Sequence, residues 1–121
     1  GDVVALVSGG FDAVVESIAT ELAITDYLAN RLEIEEGRLT GRIVGRLVDR
    51  GAKAEALREF ALKHGIPLSR TVAVGDGAND LEMIRIAALG IAFNAKAVLR
   101  EQADAAIDVR DLRLVLDVIG A

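Results

Sequence analysis

Two aspartates and an asparagine follow directly after an apolar run, in the segment GDGAND at residues 75–80. Mg²⁺ in proteins takes one or two carboxylates and completes its shell with water and phosphate oxygens, so Asp76 is a candidate metal ligand. The amide of Asn79 can donate to a phosphate oxygen, and Asp80 can cap the next helix or hold a metal-bound water. A helix cap alone would explain one of these polar residues, but neither Asp76 nor the two glycines.

A second polar cluster, Ser8-Gly9-Gly10, follows the apolar run at residues 3–7. Glycines allow several backbone N–H groups to point into one concavity, and a serine hydroxyl adds a donor, so this segment can cradle a phosphate. A plain glycine-rich turn would have the same sequence. Ligands of open parallel sheets bind at the carboxyl ends of the strands, so we expect this cluster to lie near Asp76.

Lys53 is the third candidate. A lysine near the start of a helix is disfavoured by the helix dipole, and aiming its charge at a phosphate would offset that cost. The alternative is a solvated surface lysine. A phosphate cradle, a cation and a metal carboxylate suit phosphoryl transfer, in which catalysis is mostly positioning and charge neutralisation. The nucleophile is not evident, because Ser8 has no neighbouring general base.

Strand and helix patterns alternate along the chain, which predicts an α/β fold with a doubly wound parallel sheet. Alternation of apolar and charged residues predicts a small β-hairpin insertion at about residues 30–48. The first helix is predicted with Val14, Val15, Ile18 and Leu22 on one apolar face. The predicted strands are residues 3–7, 71–74, 90–93 and 106–109, and the predicted helices are residues 12–22, 52–64, 81–88, 97–102 and 112–119.

The composition narrows the classes of function. The chain has 121 residues, the size of one domain, and a net charge of −5, which argues against nucleic acid or an anionic membrane as partner. It has no cysteine, and its single histidine, His64, lies near a predicted helix end, so histidine and thiolate metal sites are not expected. We find no membrane-length apolar run and no signal peptide, so we expect a cytoplasmic protein.

Several motifs resemble a known superfamily. "VSGGF" at residues 7–11, Lys53 and "VGDGANDLEM" at residues 74–83 resemble motifs two, three and four of the haloacid dehalogenase-like superfamily. "LANRLEIEEGRLTG" at residues 28–41 and "GIAFNAK" at residues 90–96 are similar to the phosphoserine phosphatases within it. The resemblance covers essentially the whole chain.

The resemblance implies a Rossmann-like haloacid dehalogenase-like core and Mg²⁺-dependent hydrolysis of O-phosphoserine, in serine biosynthesis. An aspartate would attack the phosphomonoester, and water would hydrolyse the resulting aspartyl-phosphate. The resemblance also implies roles for individual residues: phosphate binding by Ser8, Gly9, Lys53 and Asn79; catalysis by Lys53, Asn79 and Asp80; and Mg²⁺ ligation by Asp76.

The superfamily's first motif, Asp-x-Asp-x-Thr/Val, has no counterpart in this sequence, and neither does the helical cap that contacts the substrate. Residues 1–121 are therefore expected to be the C-terminal portion of such an enzyme, inactive alone. The missing central strand would lie between the strands at residues 3–7 and 71–74. We expect a second copy or a separate N-terminal portion to complete the sheet, rather than direct closure.

The sequence leaves three alternatives to this interpretation. The first is a phosphatase for another small phosphomonoester, and the second is a non-catalytic domain that binds phosphate or Mg²⁺. The third, a dinucleotide-binding domain, is disfavoured because the Gly-x-Gly-x-x-Gly turn is absent after the first strand.

Overall fold

Strands and helices alternate along the chain, as the sequence predicts. The structure is a computed structural model and describes residues 2–120. Short 3-10 turns at Leu68–Arg70 and Ala78–Asp80 flank the fourth strand. The strands are β1 (Ala5–Phe11), β2 (Asp26–Glu35), β3 (Arg38–Val44), β4 (Val72–Gly75), β5 (Leu89–Phe93) and β6 (Ala105–Ile107), and the helices are α1 (Asp12–Glu21), α2 (Arg50–Lys63), α3 (Leu81–Ile86), α4 (Ala97–Gln102) and α5 (Leu114–Ile119).

The six strands form two three-stranded sheets, in the orders β1-β2-β3 and β4-β5-β6. All neighbours are parallel except β2 and β3, so the predicted parallel α/β fold with a hairpin is confirmed. Within residues 2–120, β1 and β4 do not pair with each other, so direct closure of the sheet does not occur. Completion of the sheet by a second copy or by an N-terminal portion stays a prediction.

Strand β2 belongs to two pairings, because its first half is parallel to β1 and its second half is antiparallel to β3. The hairpin turns at Glu36 and Gly37, whose φ values of 52° and 76° suit the tight turn that joins two twisted strands. The antiparallel part spans residues 31–44, within the predicted 30–48. The sequence analysis missed the parallel first half.

Strand β1 differs from its predicted end. It was expected to stop at residue 7, but it continues to Phe11. Its partners in β2 change from Val7 with Leu28 to Phe11 with Asn30, so β1 carries extra residues in an irregular stretch. Glycines tolerate such a bulge, and the bulge takes Ser8-Gly9-Gly10 out of the regular ladder.

The core centres on α3 and the sheet β4-β5-β6, with Ile84, Ile91 and Leu99 almost fully buried. Helix α1 buries Val15 and Ala19 instead of the whole predicted face. The other members of that predicted face, which remain exposed, are Val14, Ile18 and Leu22.

No helix among the described residues has the length and apolarity to cross a bilayer.

Candidate functional site

A buried ion pair joins Lys53 of α2 to Asp80, which lies just after β4. Lys53 Nζ donates to Asp80 Oδ1 over 2.7 Å, and the two side chains are only 8% and 7% exposed. Isolated charges are costly to bury, and pairing offsets that cost. Lys53 is the fourth residue of α2, near the helix start as expected, and it is buried, so the alternative of a solvated surface lysine is wrong. Its contact with a phosphate stays a prediction.

The other oxygen of Asp80 shapes the loop after β4. Asp80 Oδ2 accepts hydrogen bonds from the backbone N–H groups of Asp76, at 3.1 Å, and Gly77, at 3.3 Å. A Cβ on Gly75 would lie 2.5 Å from the Cβ of Asp80, so glycine is needed where the strand ends. One interpretation of the sequence proposed that Asp80 caps α3, but its side chain makes no capping hydrogen bond to that helix. Its side chain instead bonds to the backbone of the loop that precedes it.

Helix α2 is started by Asp49, whose carboxylate accepts from the backbone N–H of Ala52 over 2.9 Å. A carboxylate in this place satisfies a free N–H group of the first turn and suits the helix dipole. This cap fixes where the helix begins, and so fixes the position of Lys53 in its first turn.

Ser8 and its two glycines form the second polar segment. Ser8 Oγ accepts from the backbone N–H of Gly10 over 2.9 Å, and both glycines are exposed. Asn30 of β2 donates from Nδ2 to the carbonyl of Gly9 over 2.9 Å and accepts at Oδ1 from the N–H of Val48 over 2.7 Å. The sequence analysis missed Asn30. The feature that could have identified it is a polar residue at a position that alternates with Leu28 and Leu32 on the same face of the strand.

Asp76 and Asn79 are exposed at the surface of the loop after β4. Neither side chain hydrogen bonds to another residue in the part of the chain that the structure describes. No group of three or more acidic, histidine or cysteine side chains that could hold a metal lies within residues 2–120. A free carboxylate at Asp76 fits Mg²⁺ as one ligand, since this ion keeps several waters and takes phosphate oxygens.

Helix α2 connects the two polar segments. It packs against β1 and against the turn Ala78–Asp80. The hydrogen bonds described among residues 2–120 do not join the Ser8 segment directly to the loop after β4. The start of α2 is therefore linked to both segments, through Val48 near Gly9 and through Lys53 at Asp80. Such a set of donors and one cation can bind an anion.

The sequence matches the haloacid dehalogenase-like hydrolases over residues 1–85. The chain belongs to the haloacid dehalogenase-like hydrolase family. The match confirms the family resemblance drawn from the motifs, and it includes β1, α2 and the loop after β4.

Several curated proteins similar to this chain are phosphoserine phosphatases. The chain is 53% identical over 117 residues to the phosphoserine phosphatase of Streptomyces coelicolor, covering 97% of this chain and 28% of that protein. It is 50% identical over 119 residues to the phosphoserine phosphatase of Methanocaldococcus jannaschii, covering 98% of this chain and 56% of that protein. The chain thus spans about a quarter to a half of the length of these relatives.

Solved haloacid dehalogenase-like structures agree with the fold. A structure described as a phospho-aspartyl intermediate analogue of phosphoserine phosphatase has a TM-score of 0.89 and 49% identity to this chain. The match covers 96% of this chain and 56% of that one. The fold of this chain is therefore similar to that of just over half of that structure.

Proposed function

We propose that the protein containing this chain is a Mg²⁺-dependent phosphatase that hydrolyses O-phosphoserine to serine and phosphate. The observation that carries the proposal is the buried Lys53–Asp80 pair beside the start of α2, in a chain about half identical to phosphoserine phosphatases. A role in serine biosynthesis belongs to the proposal through the family resemblance, and a cytoplasmic location belongs to it as the expectation from the sequence.

In this proposal the phosphate lies between the two polar segments. The hydroxyl of Ser8 and the N–H of Gly9 donate to phosphate oxygens, and the ammonium of Lys53 neutralises their charge. Asp80 holds Lys53 in place, while Asn79 donates its amide and orients the phosphoryl group. Asp76 would hold Mg²⁺, which when bound would supply further charge neutralisation.

The nucleophile is proposed to come from outside residues 1–121. By the family resemblance, one aspartate of the first motif attacks the phosphorus atom as the bond from phosphorus to the serine oxygen breaks, and the acid/base aspartate of that motif gives the leaving oxygen its proton. The same aspartate then takes a proton from water, which hydrolyses the aspartyl-phosphate to release phosphate. No carboxylate within residues 2–120 is placed on β1 or β4 for such an attack, so we expect the isolated chain to be inactive.

The test measures phosphate release by the protein containing this chain, with O-phosphoserine, O-phosphothreonine and glycerol phosphate as substrates. We expect a clear preference for O-phosphoserine and loss of activity when EDTA removes Mg²⁺. Lys53→Met should lower kcat by about 10²–10³, the cost of removing a preorganised charge-stabilising group. Lys63→Met is the matched control, since Lys63 lies on the same helix but bonds to Asp26 at its other end.

Two results would count against the proposal. A preference for another phosphomonoester would support the second candidate function, a phosphatase of different specificity. Phosphate binding without any turnover would support the non-catalytic domain.

A further inference from the structure

Asn30 is a buried amide whose two ends are both used. Its residue exposure is 4%, and it lies on β2 where the pairing with β1 changes register. Its NH₂ group donates to the carbonyl of Gly9, and its oxygen accepts from the N–H of Val48. An amide side chain carries its donor and its acceptor on two different atoms, whereas a carboxylate has no donor and a leucine has neither.

The two partners of Asn30 belong to the two halves of the candidate site. Gly9 is the centre of the Ser8-Gly9-Gly10 segment. Val48 is buried directly before Asp49, the residue that caps α2 and so sets the position of Lys53. A Cβ on Gly9 would lie 3.8 Å from the carbonyl oxygen of Val48, so the two backbone segments pass close to each other at this point.

We propose that Asn30 is a positioning residue that fixes the phosphate-binding segment of β1 relative to the start of α2 and its Lys53. The inference rests on the proposed phosphate site and deepens it. Asn30 does not touch the phosphate itself. The bulge at Ser8-Gly9-Gly10 interrupts the backbone hydrogen bonds between β1 and β2, and the side chain of Asn30 supplies a hydrogen bond to Gly9 there. The distance between the Ser8-Gly9-Gly10 segment and the start of α2 is thereby held constant.

A role in fold stability alone is the competing explanation, because any buried hydrogen-bonded amide stabilises the protein. Thr71 offers a matched control for it. Thr71 is 8% exposed, donates to the carbonyl of Leu68 over 2.7 Å and accepts from the N–H of Ala88 over 3.2 Å. It therefore also bridges two backbone segments, but it does so before β4, at the opposite end of that strand from Asp76.

The experiment measures the affinity for inorganic phosphate, by calorimetry in the presence of Mg²⁺, of the whole protein and of its Asn30→Asp and Thr71→Val variants. Urea unfolding gives the stability of each, and binding is measured where all are fully folded. We expect Asn30→Asp to weaken phosphate binding about tenfold or more, since small misplacements of binding groups are costly, whereas Thr71→Val leaves the Kd unchanged. Asn30→Ser, whose hydroxyl can both donate and accept, is the second variant if Asn30→Asp does not fold, with a smaller loss expected.

Equal phosphate affinity in the wild type and the Asn30 variants would overturn the inference, and so would equal losses in the Asn30 and Thr71 variants. Its failure is distinguishable from failure of the proposed function. A wild-type protein that hydrolyses O-phosphoserine while Asn30 variants bind phosphate normally refutes only the role of Asn30. A wild-type protein whose phosphate affinity depends on Asn30, but which does not hydrolyse phosphoserine, refutes only the proposed reaction.

Discussion

Asp80 is the residue on which the candidate site depends most. One of its oxygens holds the ammonium of Lys53, and the other holds two N–H groups of the loop that carries Asp76. A single carboxylate thus sets the position of both the proposed cation and the proposed metal ligand. Any change at Asp80 is expected to move both at once.

The buried pair also predicts a stability pattern. Removing one partner leaves an unpaired buried charge, so Lys53→Met and Asp80→Leu should each lower the free energy of unfolding by about 3–5 kcal/mol. The double variant removes both charges and should lose clearly less than the sum of the two single losses. Urea unfolding of the three variants measures this coupling. Additive losses would show that the two side chains do not interact.

At this scale the sequence identifies the candidate residues but not their connections. Lys53, Asp76, Asn79 and Asp80 stand out by type and by their place at element ends. The pairing of Lys53 with Asp80 spans 27 positions along the chain, and nothing local in the sequence specifies it. Which of the predicted residues bind phosphate or metal stays a prediction.

At the scale of elements, α2 is the part that joins the site, and it is fastened at both ends. Its start is linked to β2 through Val48 and Asn30. Near its end, Asp26 of β2 accepts hydrogen bonds from Lys63 Nζ, at 2.5 Å, and His64 Nε2, at 2.6 Å. The helix therefore cannot slide along the sheet without breaking bonds at one end.

The fastening at Asp26 predicts an acid-sensitive stability. The hydrogen bond from Lys63, followed by that from His64, holds the pKa of Asp26 below its usual 3.8. A carboxyl with a lowered pKa stabilises the fold above its unfolded pKa, and this contribution is lost as the pH falls through the folded value, below 3.8. Asp26→Asn should therefore be less stable than the wild type near neutral pH, with the difference shrinking in acid.

Urea unfolding of the wild type and Asp26→Asn between about pH 7 and pH 3 measures this difference. Asp117→Asn is the control, since Asp117 is exposed on α5 and hydrogen bonds through its side chain to no other described residue. A difference between wild type and Asp26→Asn that stays constant with pH would contradict the assignment.

The elements themselves could largely be predicted, because hydrophobic periodicity and turn residues are local signals. The failures were of other kinds. The bulge in β1 depends on its pairing with β2, which no local pattern encodes. Val14, Ile18 and Leu22 follow the helical period but remain exposed, since burial depends on what packs against a face. Asp26 and Asn30 interrupt the apolar phase of β2, which hid its parallel half.

At the scale of the whole molecule, the main feature is that the six strands form two separate sheets. They are joined through α2 instead of through pairing between β1 and β4. The absence of the family's first motif from the sequence predicts this separation, which local patterns alone would not have shown. The proposed phosphate site lies where the carboxyl ends of β1 and β4 approach α2, so its existence depends on both sheets at once.

The central claim is that one phosphate contacts both polar segments. The most direct measurement follows the backbone amide chemical shifts of the protein containing this chain during titration with inorganic phosphate and Mg²⁺. The account predicts that the amides of Gly9, Gly10 and Gly77 shift together with one Kd, and that Lys53→Met greatly weakens this response. Shifts that give different Kd values at Gly9 and Gly77, or that occur only near His64 at the far end of α2, would contradict it.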